Sequence, residues 1–193
     1  MLLLLEWSGT IAAIIGAVIA ATLIVKITYA WLFWIFTNIC FMVLFLHTQQ
    51  YGLFTKHFIG LFINIFGYYQ WRSSTTLISP NIGKYLYLIS LIMATIGGFT
   101  LAWFLIELSE VSLEWTGMLF SIAGSLALAS RHKYSHICWP FWIVGGGAII
   151  ALSVFYTSQY GVLTQQLFYM VTNVIGLVKH YSIYRKKQQE SIV

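Results

Sequence analysis

The sequence contains no aspartate, and its five acidic residues are all glutamates, at positions 6, 107, 110, 114 and 190. Cysteine and proline are also scarce, with two of each. Charged residues make up only 8% of the chain, whereas 60% of its residues are hydrophobic and the mean hydropathy is +0.83. This composition leaves too little polar surface to cover a soluble protein of 193 residues. The chain is therefore predicted to lie in a lipid bilayer.

Long apolar runs divide the chain into transmembrane segments. An α-helix needs about 20 mostly apolar residues to cross a membrane, and these runs are far too long for the strands of a barrel. The first residues, Met1 to Glu6, lack a basic segment and a cleavage pattern, so we expect them to begin helix one and not to form a signal peptide. The predicted all-α membrane protein has seven spans, at residues 7–25, 30–47, 53–71, 85–106, 114–130, 139–157 and 161–181.

Basic residues predict the orientation. With seven spans, one side of the membrane receives nine of the ten Lys and Arg residues, and Lys56 alone is assigned to the other side. Because cytoplasmic loops are enriched in Lys and Arg, the N-terminus is predicted outside and the C-terminus in the cytoplasm. The net charge of +5 is scattered over short loops and does not form a nucleic-acid-binding patch. The nine residues are Lys26, Arg72, Lys84, Arg131, Lys133, Lys179, Arg185, Lys186 and Lys187.

The two halves of the chain repeat each other. Residues 6–9 (EWSG) return as 114–117 (EWTG), and Trp31 and Trp34 return as Trp139 and Trp142. After one inserted residue, the match continues from 50–52 (QYG) to 159–161 (QYG), and it includes Asn64 with Asn173 and Gly67 with Gly176. The matched positions run through three consecutive spans, so we infer an internal duplication.

The number of spans determines the relation between the copies. Helix four has no counterpart in the repeat, and inserting it between two three-helix units gives both units the same orientation. We therefore predict a 3+1+3 arrangement of parallel repeats around a cavity on a pseudo-two-fold axis. The predicted segments are the first repeat (1–75), the linker helix (76–110), the second repeat (111–185) and a cytoplasmic tail (186–193).

Polar residues within the spans indicate where a ligand would bind. Asn64 and Asn173 occupy equivalent positions near the middle of helices three and seven, where an amide must find partners or line a wet cavity. Interhelical hydrogen bonding is the alternative role for such an amide. Residues spaced by three and four share one face of a helix, and in both repeats this face combines an amide with aromatic rings. The residues are His57, Gly60, Asn64, Tyr68 and Trp71 on helix three, and Gln166, Tyr169, Asn173, Gly176 and His180 on helix seven. The candidate substrate-binding residues are Asn64, Asn173, Tyr68, Trp71, Asn38, Trp34, Trp142, Gln50, Gln166 and Tyr169.

Other residues are predicted to have structural roles. Trp7, Trp115, Trp31 and Trp139 lie at span ends, where interfacial aromatic anchors are expected. Glu6 and Glu114 begin equivalent helices and are expected to interact with the positive ends of those helices. Cys40 and Cys138 are expected to be small buried hydrophobic residues. The position in the second repeat that matches Asn38 falls within glycines 145–147, which would make room for either a ligand or close helix packing.

The positions of the acids also bear on mechanism. No glutamate lies at mid-membrane, whereas ion-coupled carriers usually place a carboxylate there, so uncoupled transport is predicted, with His57 and His180 as the residues most able to carry a proton. A membrane enzyme would need clustered catalytic or metal-ligating side chains, and the best pair, His132 and His136, has no carboxylate nearby. A channel or receptor is a further alternative. No cofactor and no metal are predicted.

The plan resembles that of the SWEET sugar transporters, and the motifs at 6–9 (EWSG), 31–34 (WLFW) and 64–71 (NIFGYYQW) resemble those of the PnuC vitamin transporters. The resemblance covers residues 6 to 184. It implies a bacterial inner-membrane protein, with trimeric assembly as one option, that takes up nicotinamide riboside by facilitated diffusion and relies on a cytoplasmic kinase to trap it. Relatives of this kind carry thiamine, riboflavin or nucleosides. The prolines of SWEET helices are missing, since only Pro80, in a predicted loop, and Pro140, at the start of helix six, are present.

Overall fold

A computed structural model describes residues 1–22, 27–72, 80–107, 109–130, 135–157 and 160–190, with side chains in the last helix described as far as residue 179. These residues form α-helices without any strand, as the composition predicts. A short 3-10 turn precedes α6, and a π-helical turn, Ser153–Thr157, extends it. The helices are α1 (Leu2–Thr22), α2 (Ile27–His47), α3 (Tyr51–Arg72), α4 (Pro80–Glu107), α5 (Glu110–Ala129), α6 (Cys138–Leu152) and α7 (Tyr160–Glu190).

The helices correspond to the seven predicted spans, with differences at their ends. Pro80 is the first residue of α4 and not part of a loop. Proline is tolerated there because the N–H groups of the first helical turn have no partner within the helix, so the missing N–H costs nothing. The last helix extends beyond the predicted 181 to Glu190. Six of the helices are long and apolar enough to cross a membrane by themselves within the described residues. The other, α3, has 22 residues but is interrupted by polar side chains such as Lys56, His57 and Asn64.

Six helices form a closed ring. Within each repeat, the middle helix packs against the first and third helices, so α2 contacts α1 and α3, and α6 contacts α5 and α7. Between the repeats, α3 packs against α5, and α7 packs against α1. The displacement of 108 or 109 residues relates α1 to α5 and α3 to α7, so it converts the α3–α5 contact into the α7–α1 contact. This is expected for parallel repeats about a pseudo-two-fold axis. The linker helix, α4, packs against α5 from outside this ring.

Two reciprocal hydrogen bonds join the repeats. Glu6 at the start of α1 accepts a hydrogen bond of 2.7 Å from the backbone N–H of Gly161 at the start of α7. Its counterpart Glu114 accepts one of 2.8 Å from the backbone N–H of Leu53 at the start of α3. Each glutamate therefore caps the third helix of the other repeat, which corrects the expectation that it caps its own helix. We call this side of the molecule the clasp end, and it shows that α1, α3, α5 and α7 run in the same direction.

Tryptophan and glycine lock the second helix of each repeat to the third. A Cβ at Gly67 would lie 2.7 Å from the Trp31 ring, and one at Gly176 would lie 2.6 Å from the Trp139 ring. These two tryptophans are 0% and 1% exposed, so the prediction that they anchor the protein at the membrane interface is wrong. They are buried because glycine lets the indole lie directly on the neighbouring backbone. Trp7 and Trp115, which are 40% and 46% exposed, have the exposure expected of interfacial anchors.

Candidate functional site: a central cavity between the repeats

A cavity of about 90 Å³ lies inside the ring of helices. Buried apolar clusters lie on either side of it along the bundle, one containing Phe41, Leu53 and Ile149 near the clasp end and one containing Trp31 and Trp139 near the opposite end. Both repeats contribute to its wall. The lining residues are Ala17, Trp34, Thr37, Asn38, Lys56, His57, Gly60, Asn64, Ser121, Ile122, Ser125, Trp139, Trp142, Gln165, Gln166, Tyr169 and Asn173.

The two asparagines predicted from the repeat both line this cavity. Asn64 on α3 and Asn173 on α7 are 6% and 4% exposed, and both line its wall. Within the described residues, no hydrogen bond ties either side-chain amide to a neighbouring helix. The amides are therefore free to bind a polar group in the cavity, since an amide offers both donors and acceptors.

Three other matched positions differ between the repeats. Lys56, His57 and Gly60 on α3 correspond to Gln165, Gln166 and Tyr169 on α7, and all six residues line the cavity. The first repeat thus contributes a cation, an imidazole and open space, where the second contributes two neutral amides and a phenol. Although the frame is pseudo-symmetric, the lining has two chemically different sides.

Asn38 on α2 is held by a histidine of the first repeat. The Nδ1 atom of His57 lies 2.7 Å from the Oδ1 atom of Asn38, and because a carbonyl oxygen can only accept, His57 donates this hydrogen bond. The imidazole is packed against the rings of Phe41 and Phe45, at 5.2 and 5.4 Å between centroids. The position matching Asn38 is Gly146, where a Cβ would lie 3.3 Å from Gln166 Oε1. The polar group at this level therefore comes from α2 in one repeat and from α7 in the other.

A tryptophan pair crosses the pseudo-axis. The rings of Trp34 and Trp142 meet edge to face with their centroids 5.6 Å apart. Each ring also lies over a matched glycine of the preceding helix, where a Cβ at Gly16 or Gly124 would come within 2.7 or 2.5 Å of the indole. Both tryptophans line the cavity, so aromatic surface from the two repeats lies beside the paired amides.

Residues 6–182 match the family model described as nicotinamide mononucleotide transporter. Among curated proteins and solved structures, none matches the chain. The chain belongs to the nicotinamide mononucleotide transporter family. It is thus a multi-pass membrane protein of a family that transports small molecules, as the sequence predicted, and the match extends over both repeats and the linker helix.

Seven of the ten residues predicted to bind substrate line the cavity. Tyr68, Trp71 and Gln50 do not line it. The Trp71 indole donates a hydrogen bond of 3.3 Å to the backbone carbonyl of Leu128 on α5, and Tyr68 lies under the Arg72 guanidinium. Gln50 precedes α3, next to the clasp end. Helical spacing placed Tyr68 and Trp71 on the face of Asn64, but they lie beyond the cavity along α3.

Several residues that line the cavity were not predicted from the sequence. Lys56 and Gln165 were missed because each immediately precedes a residue of the predicted face, and the cavity is wide enough to include that second position. Ser121 and Ser125 were missed because small hydroxyl residues are common in membrane helices. Aligning the repeats identifies the pair Lys56 and Gln165, because it is a matched position at which the two copies differ in charge.

No group of three or more His, Cys, Asp or Glu side chains among the described residues is arranged to hold a metal ion. Of the two histidines considered for such a site, His136 lies in the turn before α6 and His132 lies outside the described residues. The side chain of His180 also lies outside the described part of the chain. Cys40 and Cys138 are buried and unpaired as disulfides, as predicted.

Proposed function

We propose that this chain carries nicotinamide riboside into the cell by facilitated diffusion, and that a cytoplasmic kinase traps the product. The observation on which this rests is the buried pair Asn64 and Asn173, which occupy matched positions in one cavity shared by both repeats. Their amides suit the hydroxyl and carboxamide groups of the ligand, and the rings of Trp34 and Trp142 suit its planar base. The family match supports a substrate of the nicotinamide nucleoside or nucleotide type.

Movement of the repeats relative to each other would provide access to the cavity. Its volume of about 90 Å³ is smaller than the roughly 300–1,000 Å³ of typical small-molecule sites. The repeats must therefore separate along the α1–α7 and α3–α5 contacts before a nucleoside can fit. Rocking of one repeat against the other around a central site is the motion expected of transporters built from repeats.

The predicted orientation and assembly belong to the same proposal. The distribution of basic residues supports an N-terminus outside and a C-terminus in the cytoplasm, and the resemblance to PnuC proteins implies the bacterial inner membrane. The clasp end then faces outward. The trimeric assembly implied by the resemblance to PnuC proteins is a further prediction. The outer position of α4, on which many apolar side chains are exposed, provides surface for such contacts.

Thermal stabilisation of the purified protein tests the substrate assignment. A ligand that binds the folded protein must raise its melting temperature, so nicotinamide riboside should stabilise the chain at lower concentrations than thiamine, riboflavin or common nucleosides. Replacing Asn64 by Ala should reduce this stabilisation, and replacing Asn81, a residue at the exposed start of α4, should not. Stronger stabilisation by thiamine or riboflavin would reassign the substrate within the vitamin transporters.

A further inference from the structure

We propose that copies of this chain associate through the outer face of α4, which packs against the α4 helices of further copies around an axis along the membrane normal. The partner of this face is therefore the same chain. The inference rests on the assembly that forms part of the proposed function, because it names the surface that holds the copies together. It does not depend on the identity of the substrate.

The linker helix α4 is covered by the rest of the chain less than its neighbours are. It lies outside the ring of six helices, and of the described helices that are apolar enough to cross a membrane it has the smallest buried share. Its inner face packs on α5, where the Thr100 and Thr116 hydroxyls lie 2.9 Å apart and a Cβ at Gly97 would lie 3.0 Å from the Phe120 ring. The ring and its cavity do not use the outer face, which is therefore available to a partner.

This outer face carries a regular row of large side chains, which we call the α4 seam. Its members alternate in steps of three and four residues, and they are between 45% and 80% exposed. Of the ten large apolar side chains exposed on α4, eight belong to the seam, and the other two are Leu88 and Leu105. The spacing is that of the a and d positions of a coiled coil, continued over more than three heptads. The seam consists of Ile82, Tyr85, Ile89, Ile92, Ile96, Phe99, Trp103 and Ile106.

The spacing of the seam indicates that its partner is another helix of the same kind. A row with a period of 3.5 residues faces one axis along its whole length only when helices wind around each other, and lipid chains impose no such period. Helices in a bilayer associate by close packing, most often at the crossing angles of coiled coils. Ile89, Ile92 and Ile96 fill three successive layers, and isoleucine at both a and d favours three or four helices over two. Thr95 and Ala102, beside the seam, are exposed and small enough to let a neighbouring backbone approach.

The membrane imposes the direction that this packing needs. All copies are inserted with the same orientation, so their α4 helices are parallel, as a symmetric seam requires. Because α4 lies outside its own ring, several α4 helices can meet at one axis while the rings remain apart. Rotation about that axis closes the assembly, which is the usual arrangement of oligomers built from identical chains.

A groove on the opposite side of the molecule is the competing surface. It lies between α1 and α2, and its lining includes Ile15 and Phe36. The matched residues of the second repeat, Ala123 and Val144, pack in the cluster that contains Ala94 of α4. The pseudo-two-fold axis therefore places this groove and α4 on opposite sides of the ring. Contacts between α4 of one copy and the groove of the next would extend an open row of copies, whereas contacts between α4 seams close.

Cysteine cross-linking of the full-length protein in membranes tests the α4 seam. Ile92→Cys should form a disulfide between copies when copper phenanthroline is added, because equivalent d positions of parallel helices face each other. Leu105→Cys, on α4 but outside the seam, and Leu32→Cys, in the groove, are exposed controls. Cross-linking of Ile92→Cys should be about tenfold or more faster than that of either control, since a disulfide needs Cα atoms within about 7 Å. The native cysteines are buried, which keeps the background low.

A second measurement follows association without cross-linking. Replacing Ile92 and Ile96 together by Ala removes two central layers of the seam, and folding should persist because both side chains are exposed in the single copy. In detergent, this double variant should dissociate at a protein concentration about tenfold or more above that at which wild type dissociates. Replacing Leu88 and Leu105 together by Ala removes equally exposed side chains outside the seam and should leave association unchanged. Thermal unfolding without ligand checks that both double variants are folded.

The outcomes separate the seam from the rest of the proposed function. An assembled protein in which Leu105→Cys or Leu32→Cys cross-links fastest, or in which the two double variants dissociate alike, would overturn the seam and leave the proposed assembly in place. A single copy in membranes and in detergent would overturn both. Thermal stabilisation by nicotinamide riboside is measured on the same proteins, and its absence in wild type would reject the proposed substrate without bearing on the seam.

Discussion

At the scale of single residues, the paired amides of Asn64 and Asn173 are the most direct link between sequence and proposed function. They occupy matched positions, are buried, and line a cavity without hydrogen bonds to neighbouring helices in the described residues. A buried amide without a protein partner weakens the folded state unless a ligand or water pairs with it. Their cost in stability is therefore best explained by binding.

Replacing either asparagine by Ala should weaken ligand binding by about 10- to 100-fold, corresponding to the loss of about 1 to 3 kcal/mol. Folding should persist, because no interhelical hydrogen bond is lost. Calorimetric titration of the purified variants measures the affinity, and thermal unfolding without ligand measures the stability. If binding is unchanged in both variants, Asn64 and Asn173 do not form the centre of the site.

The sequence identified these amides but not Lys56, for a physical reason. An asparagine at mid-span is conspicuous, because the hydrocarbon layer offers it no partner. A lysine near the end of a span is expected to extend its side chain to the interface, and only the packing of the helices shows that it lines the cavity. Trp31 and Trp139 were misassigned similarly, since tryptophan near a span end usually lies at the interface.

At the scale of helices, the clasps of Glu6 with Gly161 and of Glu114 with Leu53 hold the repeats at one end. Space for each glutamate comes from a glycine, because a Cβ at Gly161 or Gly52 would lie 2.6 Å from the carboxylate or its stem. Near the opposite end, the Trp71 indole joins α3 to the carbonyl of Leu128 on α5. Both these hydrogen bonds and the buried apolar clusters shared by the two repeats must therefore open during transport.

A double-mutant cycle tests the clasp. Gly161→Ala should lower the free energy of unfolding because its Cβ displaces the Glu6 carboxylate, and Glu6→Ala should lower it by about 1.5 to 3 kcal/mol through loss of a charged hydrogen bond. The double variant should cost less than the sum, since without the carboxylate the new Cβ meets no obstacle there. Chemical denaturation in detergent, monitored by tryptophan fluorescence, provides the free energies.

Gly98→Ala is the matched control, because a Cβ at this position meets nothing within 4 Å. It should leave stability nearly unchanged. If the effects of Glu6→Ala and Gly161→Ala simply add, then Glu6 acts on its own helix and the clasp does not contribute.

Helix number, length and order followed from the sequence, but helix pairing did not. Apolar runs and the repeat predict seven spans in a 3+1+3 order, because the membrane fixes helix length and the odd count fixes direction. Helices that are apolar on all sides have no marked face, however, so the sequence did not indicate that α3 meets α5 or that α7 meets α1. The reciprocal glutamates could have shown this pairing if they had been considered as partners of the other repeat.

At the scale of the whole molecule, the orientation in the membrane is open to direct measurement. A cysteine introduced at Gln159 should react with an impermeant thiol reagent added outside intact cells, and one introduced at Arg185 should react only after the membrane is opened. Cys40 and Cys138 are buried, which keeps background labelling low. The reverse pattern would overturn the orientation inferred from the basic residues.

Transport should be uncoupled from ion gradients. None of the described residues that line the cavity is a carboxylate, the group that most often carries a coupling ion or proton, although Lys56 and His57 are both titratable. Proteoliposomes should equilibrate labelled nicotinamide riboside without concentrating it, and a proton or sodium gradient at clamped zero potential should not change the plateau. Accumulation under a pH gradient would contradict this, and its loss in His57→Gln, which copies Gln166, would identify the proton carrier.

The reciprocal clasps also bear on the ancestry of the molecule. Contacts in which Glu6 meets Gly161 while Glu114 meets the start of α3 have the pattern of an isologous dimer, in which the same patch is used twice. A self-pairing three-helix ancestor would have had to present every cavity residue in duplicate, so it could not have distinguished the two ends of a ligand. Two repeats joined by α4 in one chain do not have that restriction, so Lys56 in one repeat can match Gln165 in the other while the interface contacts stay symmetric. Symmetric clasps together with an asymmetric cavity are what we expect if the chain arose by duplication and fusion of a self-pairing three-helix unit.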